Sequence, residues 1–231
     1  RETTTEYVAM CPADDLWEPD KLERQRAILR TYPQIDVAFG GARYFGLEER
    51  DFTSPPATGL LEPRAFFREM YRADLVPAPT ALVRRRLFDR LGGFREDLVG
   101  EDYEFWMRAL KHEAVFFADP HLLVRLRQHG GNLSAQAVSM WEMNHLIHEL
   151  YAADLGDEAL VQDTLALDLR TIGRARLGLG DVAGARSAYR DSLAQRQHLT
   201  ALAWTAILSV PGSGGPLRRL AARRRRAAAS R

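Results

Sequence analysis

The chain has one cysteine among its 231 residues, Cys11, so no disulfide can form within it. That scarcity fits a reducing, cytoplasmic compartment. Long hydrophobic runs are also missing. The most apolar stretch, LTALAWTAILSV from Leu199 to Val210, is too short to span a bilayer as a helix. It either lies in a membrane interface or packs on the helices before it, and packing is the expectation. Neither sign of charge is in excess: 32 Lys and Arg against 31 Asp and Glu leave a net charge of +1, which names no partner. Hydrophobic residues at 46% and charged residues at 27% describe an ordinary globular protein. The one local imbalance is at the end. Arg218, Arg219, Arg223, Arg224, Arg225, Arg226 and Arg231 crowd a segment that holds no acid. Such a tail is either a solvated end or a contact for anionic lipid at the inner face of a membrane. Nucleic acid is not expected, because no aromatics are interleaved with the arginines.

What is present alternates. EYVAMC (Glu6 to Cys11) reads as a buried strand, stopped by Pro12. PDKLERQRAILRTY (Pro19 to Tyr32) reads as a helix with Leu22, Ile28 and Leu29 on its apolar face. IDVAFGGARYF is a strand, Gly46 to Gly59 a loop, and Glu62 to Tyr71 a short helix. APTALVRRRLFDRLGGF gives a strand and then a helix ending at Gly92-Gly93. GEDYEFWMRALKHE is a helix, and AVFFAD and HLLVRLRQH read as two more strands. This pattern predicts an α/β domain over residues 1–134. Residues 135–209 carry helical patterns only, and 210–231 form a flexible basic tail that starts at VPGSGGP.

Three places gather chemistry. Asp14-Asp15 follows a strand, where open α/β sheets bind ligands. The pair suits Mg²⁺ or Mn²⁺, or else serves the dipole of the next helix. Glu101-Asp102 opens a helix whose N-terminus favours the ionised carboxylate that a general base needs. Ordinary first-turn acids look the same. His129 ends a strand in RQHGGNLS and suits a metal or a phosphate, although a lone loop histidine often holds neither.

Taken in order, CPADDLWEPDKLERQ, LGGF, GEDYEFWMRAL and HGGNLS resemble family 2 glycosyltransferases over about Glu6 to Ser134. That family comprises inverting sugar transferases with the GT-A fold, a Rossmann-like architecture. The resemblance implies a sugar moved from a nucleotide-diphosphate sugar to a hydroxyl of a glycan, lipid-linked or protein acceptor. It implies that Asp14, Asp15 and His129 hold Mg²⁺ or Mn²⁺ on the diphosphate. Asp102 is then the base and Glu101 its helper, with Trp17, Trp106 and Asn132 on the substrates. Both tryptophans also fit a core role. Separately, ALDLRTIGRARLGLGDVAGARSAYRDSLAQR resembles one tetratricopeptide unit, with Gly173 in its first helix, Gly180-Asp181 at its turn, and Ala185 and Tyr189 in its second.

Two departures qualify the resemblance. Pro12 stands where the family has the first Asp of its DxD motif. The family's N-terminal half, which builds most of the nucleotide pocket, has no counterpart here. The expectation is therefore a C-terminal piece of a longer transferase, inactive alone. The alternative is a helical-repeat interaction protein carrying a degenerate transferase domain.

Overall fold

The computed structural model describes residues 4–46, 50–52, 57–128, 137–210 and 215. His129, Asn132 and the Arg-rich tail lie outside them. The chain divides into two compact units, Arg1–Asn132 and Leu133–Arg231.

The first unit is built on one sheet. Its strands are β1 (Tyr7–Ala9), β2 (Leu16–Trp17), β3 (Val37–Gly46), β4 (Arg50–Phe52), β5 (Gly59–Leu61), β6 (Leu82–Arg84) and β7 (Phe116–Gln128). The order is β1-β6-β3-β7-β2, with β4 on β3 and β5 on β7. β3 and β7 are parallel, and β6 runs antiparallel to both β1 and β3. The loop expected from Gly46 to Gly59 thus contains β4 and ends at β5. These strands are too short to show a periodicity, and only pairing with β3 and β7 makes them strands.

The two strands expected around Asp119-Pro120 are a single one. β7 runs through, and its register against β3 jumps from Phe39–Ala118 to Gly41–Leu122. The bulge needs Gly40, where a Cβ would sit 2.7 Å from Leu123 Cδ1 and 2.9 Å from the His121 carbonyl oxygen. Pro120, which has no N–H to give a ladder, falls inside that bulge.

Helix α1 (Lys21–Thr31) buries Lys21, Gln25 and Leu29, one face at a four-residue spacing. Leu22, expected on the apolar face, is exposed instead. The polar pair wins the inner position because the sheet offers it acceptors. Gln25 Nε2 donates to the Ala38 and Thr80 carbonyls at 2.7 and 2.8 Å. Lys21 Nζ donates to Gln25 Oε1 at 2.7 Å and to the Ala81 carbonyl at 3.4 Å.

Among the described residues this unit also holds the helices α2 (Pro63–Met70), α3 (Arg85–Leu91) and α4 (Glu101–Lys111). α2 starts at Pro63 because its missing N–H is an orphan there, and Glu62 caps the next donors, Arg64 and Ala65. Phe66 of α2, Trp106 of α4 and Phe116 of β7 meet in the core, with ring centroids 5.5 Å (Phe66–Phe116) and 5.9 Å (Trp106–Phe116) apart.

The second unit contains α5 (Ala137–Leu155), α6 (Glu158–Leu179), α7 (Val182–Gln195) and α8 (Leu199–Ser209). Asp157 caps α6 and Asp181 caps α7, each accepting a backbone N–H three residues on, from Leu160 and Gly184. Gly180 ends α6 at φ 81°, a left-handed position that glycine takes without strain. Gly173 lets α6 and α7 approach, since a Cβ there would lie 3.0 Å from the Tyr189 ring. Tyr189 in turn stacks on Trp204 of α8 at 6.0 Å. No helix among the described residues is long and apolar enough to cross a membrane.

Candidate active site

Strand direction assembles the site. β1, β3 and β7 all run opposite to β6 or parallel to a strand that does. Their carboxyl ends therefore share one edge with the amino end of β6. Ala9 pairs with Leu82, so the segment leaving β1 and the turn leading into β6 emerge side by side. The first carries Asp14 and Asp15. The second is the 3-10 turn Ala78–Thr80. Ligands of open α/β sheets bind outside such an edge.

The acid pair is fixed against β7. Asp15 Oδ1 accepts the Arg127 backbone N–H at 2.9 Å, and the Asp14 carbonyl accepts from Arg127 Nε at 3.2 Å. β2 joins the same strand through Leu16–Arg125 and Trp17–Val124. Asp15 thus extends the ladder with a side chain. β7 is described to Gln128, and the next residue is His129, outside the described residues. Asp14 and Asp15 are both half-buried.

Asp102 reaches this edge through α4. Gly100, in the left-handed region at φ 84°, starts the helix with no side-chain cap. Glu101 is exposed and turns back to accept the Gly100 N–H at 3.1 Å. The half-buried Asp102 accepts the Tyr103 N–H at 2.9 Å, and the Ala78 backbone also hydrogen-bonds its carboxyl. Ala78 opens the turn whose Thr80 and Ala81 carbonyls receive Gln25 and Lys21. A continuous set of bonds therefore runs from the helix behind the acid pair to Asp102.

The helix N-terminus was expected to favour ionised Asp102. The balance goes the other way. Burial, with the Glu101 charge, raises Asp102 above the usual carboxylate range, and the N–H bonds from Tyr103 and Ala78 only partly offset it. A raised value brings a base closer to neutral pH. Asp74 adds to the picture and was not singled out from sequence. Crowding by protein atoms and the Asp102 charge push it well above the usual range, although the residue keeps an exposed surface. Its carboxyl accepts the Val76 N–H at 3.2 Å. An acid in the Pro-rich stretch RADLVPAPT was the only hint, and nothing in its spacing pointed to α4.

The two tryptophans separate. Trp106 is fully buried and donates Nε1–H to the Val76 carbonyl at 3.0 Å. It has no surface to offer a sugar, so its place is in the core, where it fixes the Asp74–Val76 segment on α4. Tyr103 does the same through its hydroxyl, which donates to the Met70 carbonyl at 2.7 Å. Trp17 is half-buried with Lys21 Nζ 4.6 Å above its ring. Burial lowers Lys21 to about 8, and the neighbouring Cys11 opposes that shift.

LGGF has a structural role. Arg108 donates to the Leu91 and Gly93 carbonyls at 2.7 and 2.8 Å and pairs with buried Glu104 at 2.9 Å. Phe94 packs edge-on to Phe105 at 5.1 Å. This locks the segment before Glu101 onto α4.

Residues 1–148 match the family model described as glycosyltransferase like family 2. The chain belongs to that family. An uncharacterized glycosyltransferase of Rickettsia typhi is 28% identical over 145 residues, 59% of this chain and 44% of its own length. One of Methanocaldococcus jannaschii is 24% identical over 124 residues, covering 52% of this chain and 41% of the relative. The family 2 match in this chain thus spans less than half the length of these relatives. A mannosyltransferase from Pyrobaculum calidifontis, solved in complex with GDP-Man and Mn²⁺, is 16% identical at a TM-score of 0.47, covering 94% of this chain and 63% of its own. Asp14, Asp15, Asp74 and Asp102 all fall within the family match.

Among the described residues no group of three or more His, Cys, Asp or Glu could hold a metal ion. Asp14 and Asp15 supply two oxygen-bearing side chains at the sheet edge. That donor set suits a hard divalent cation sharing ligands with substrate phosphates. It does not suffice for a cage made by the protein alone.

Proposed function

We propose that the chain belongs to a GT-A-type glycosyltransferase that uses a nucleotide-sugar. It would pass a sugar from a nucleotide-diphosphate sugar to an acceptor hydroxyl, with inversion. The observation that carries this reading is the shared sheet edge, where Asp15 is bonded to Arg127 of β7 and Asp102 to Ala78 of the turn that enters β6.

Asp14 and Asp15, with His129, the residue that follows β7 in sequence, would hold Mg²⁺ or Mn²⁺ against the diphosphate. When bound, such an ion neutralises charge on the leaving group. Asp102 takes the proton of the acceptor hydroxyl onto its carboxylate as that oxygen bonds to the anomeric carbon and the bond to the diphosphate breaks. Asp74 stands beside it, its own carboxyl raised well above the usual range by burial and by the Asp102 charge. Trp17 and Asn132 would contact the substrates.

In the full-length protein, Asp102→Asn should lower kcat by at least about a hundredfold. Binding of the donor nucleotide, measured by calorimetry, should persist. Undiminished turnover would remove Asp102 from the base role. The second reading is an interaction protein in which the transferase domain is degenerate. Pro12 in place of a carboxylate favours it, as does the packed α6–α7 pair with Gly173 against Tyr189. Turnover of any nucleotide-sugar would exclude it.

A further inference from the structure

Beside the acid pair, one face of the sheet is basic. In the parallel β3–β7 ladder Arg43 stands opposite Arg125, and Phe45 stands opposite Arg127. Side chains alternate between faces along a strand, and partners in register share a face. The four residues therefore lie together. The Phe45 ring shows the same placement, with the guanidinium carbon of Arg127 4.6 Å from its centre and that of Arg125 at 5.8 Å. All three arginines are exposed, and Phe45 is half-buried among them.

The arrangement has a cost that a bound anion would remove. Like charges directly opposite each other on neighbouring strands repel, and Arg43 and Arg125 are such a pair. Glu18 lies 3.7 Å from Arg125 Nε, a loose ion pair in which both side chains keep contact with solvent. The aromatic ring favours cations above it and orders their planar groups. A guanidinium over a ring keeps its N–H groups at its rim, in the fork that fits two oxygens of a phosphate. The position fits as well. Arg127 donates its backbone N–H to Asp15 and its Nε–H to the Asp14 carbonyl. The basic face thus begins at the acid pair and runs back along β7 to Arg125, a distance of about 7 Å. The acids suit a cation, and the arginines suit anionic oxygens next to it.

We propose that Arg43, Arg125 and Arg127, ordered by Phe45, bind a phosphate group of a substrate. That group belongs to the diphosphate of the donor or to a phosphorylated acceptor. Assigning it to a substrate rests on the transferase reading, whereas the binding of phosphate does not.

The probe is inorganic pyrophosphate, titrated by calorimetry into the full-length protein. EDTA is present, so that no divalent ion bridges the probe to Asp14 and Asp15. Arg43→Gln with Arg125→Gln should weaken binding by at least about tenfold, the loss of one or two charge-assisted hydrogen bonds. Arg127 is kept because its Nε holds the Asp14 carbonyl. The circular dichroism spectrum should not change, since both substituted side chains are exposed. Each single Gln variant should show part of the loss, so the test stands even if the pair unfolds. Arg190→Gln, at an exposed position of α7, should leave binding unchanged. UDP and GDP separate the two sources. Displacement of pyrophosphate by either nucleotide gives the site to the donor, and undiminished binding at saturating nucleotide gives it to the acceptor. Four results would each overturn the proposal: no pyrophosphate binding, Gln variants that bind like the parent, an equal loss in Arg190→Gln, or tighter binding of glucuronate than of pyrophosphate. None of these readings uses turnover, so failure here is distinct from failure of the Asp102→Asn test.

Discussion

The two units bury polar groups for different ends. In the α/β unit, Lys21, Gln25 and Glu104 are buried, and their partners lie in the segments that hold Asp102 and lead to it. In the helical unit, buried His148 and Asp168 bond to each other at 2.6 Å, and Ser192 donates to the Ala166 carbonyl at 2.9 Å. Those bonds join helix to helix. The first unit concentrates its chemistry at a sheet edge, whereas the second uses its buried polar groups to hold its helices together.

The largest stability effect should come from Arg108→Ala. It leaves Glu104, 2% exposed, as an unpaired buried carboxylate and frees the Leu91 and Gly93 carbonyls. A loss of about 3–5 kcal/mol in urea unfolding is expected. A loss below about 1 kcal/mol, as for an exposed pair, would show that the segment before Glu101 is held some other way.

Lys21 gives a smaller effect with a defined sign. Its value falls from 10.5 in the unfolded chain to about 8 in the fold. Between those values the unfolded chain binds more protons, so stability should rise as pH increases from about 8 to about 10.5. Below about 8 the cost of the buried charge is fully present. The gain is on the order of 3 kcal/mol at most. It should be visible as a pH-dependent difference between the protein and Lys21→Met. A constant difference across that window would mean that Lys21 is solvated in the fold.

These buried polar groups are also where the sequence was least informative. β1, α1, β3, α2, α4 and the four later helices follow from apolar periodicity and turn residues, because those causes are local. The inner face of α1 does not, since Lys21 and Gln25 are buried only because Ala38, Thr80 and Ala81 present carbonyls to them. The break expected at Asp119-Pro120 fails because Gly40, on another strand, makes room for the bulge. Asp14, Asp15 and Asp102 were legible through the order of their motifs. Asp74 was not, because its neighbour is twenty-eight residues away and only the packing of Trp106 and Tyr103 brings the two together.

The central claim is that Asp102 is a base whose carboxyl is raised by burial and by the Glu101 charge beside it. The most direct measurement is the pH dependence of kcat/KM for the full-length protein and its Glu101→Gln variant. The acid limb should lie above the usual carboxylate range and should move to lower pH in Glu101→Gln. An acid limb that stays in place when Glu101 loses its charge would contradict this assignment.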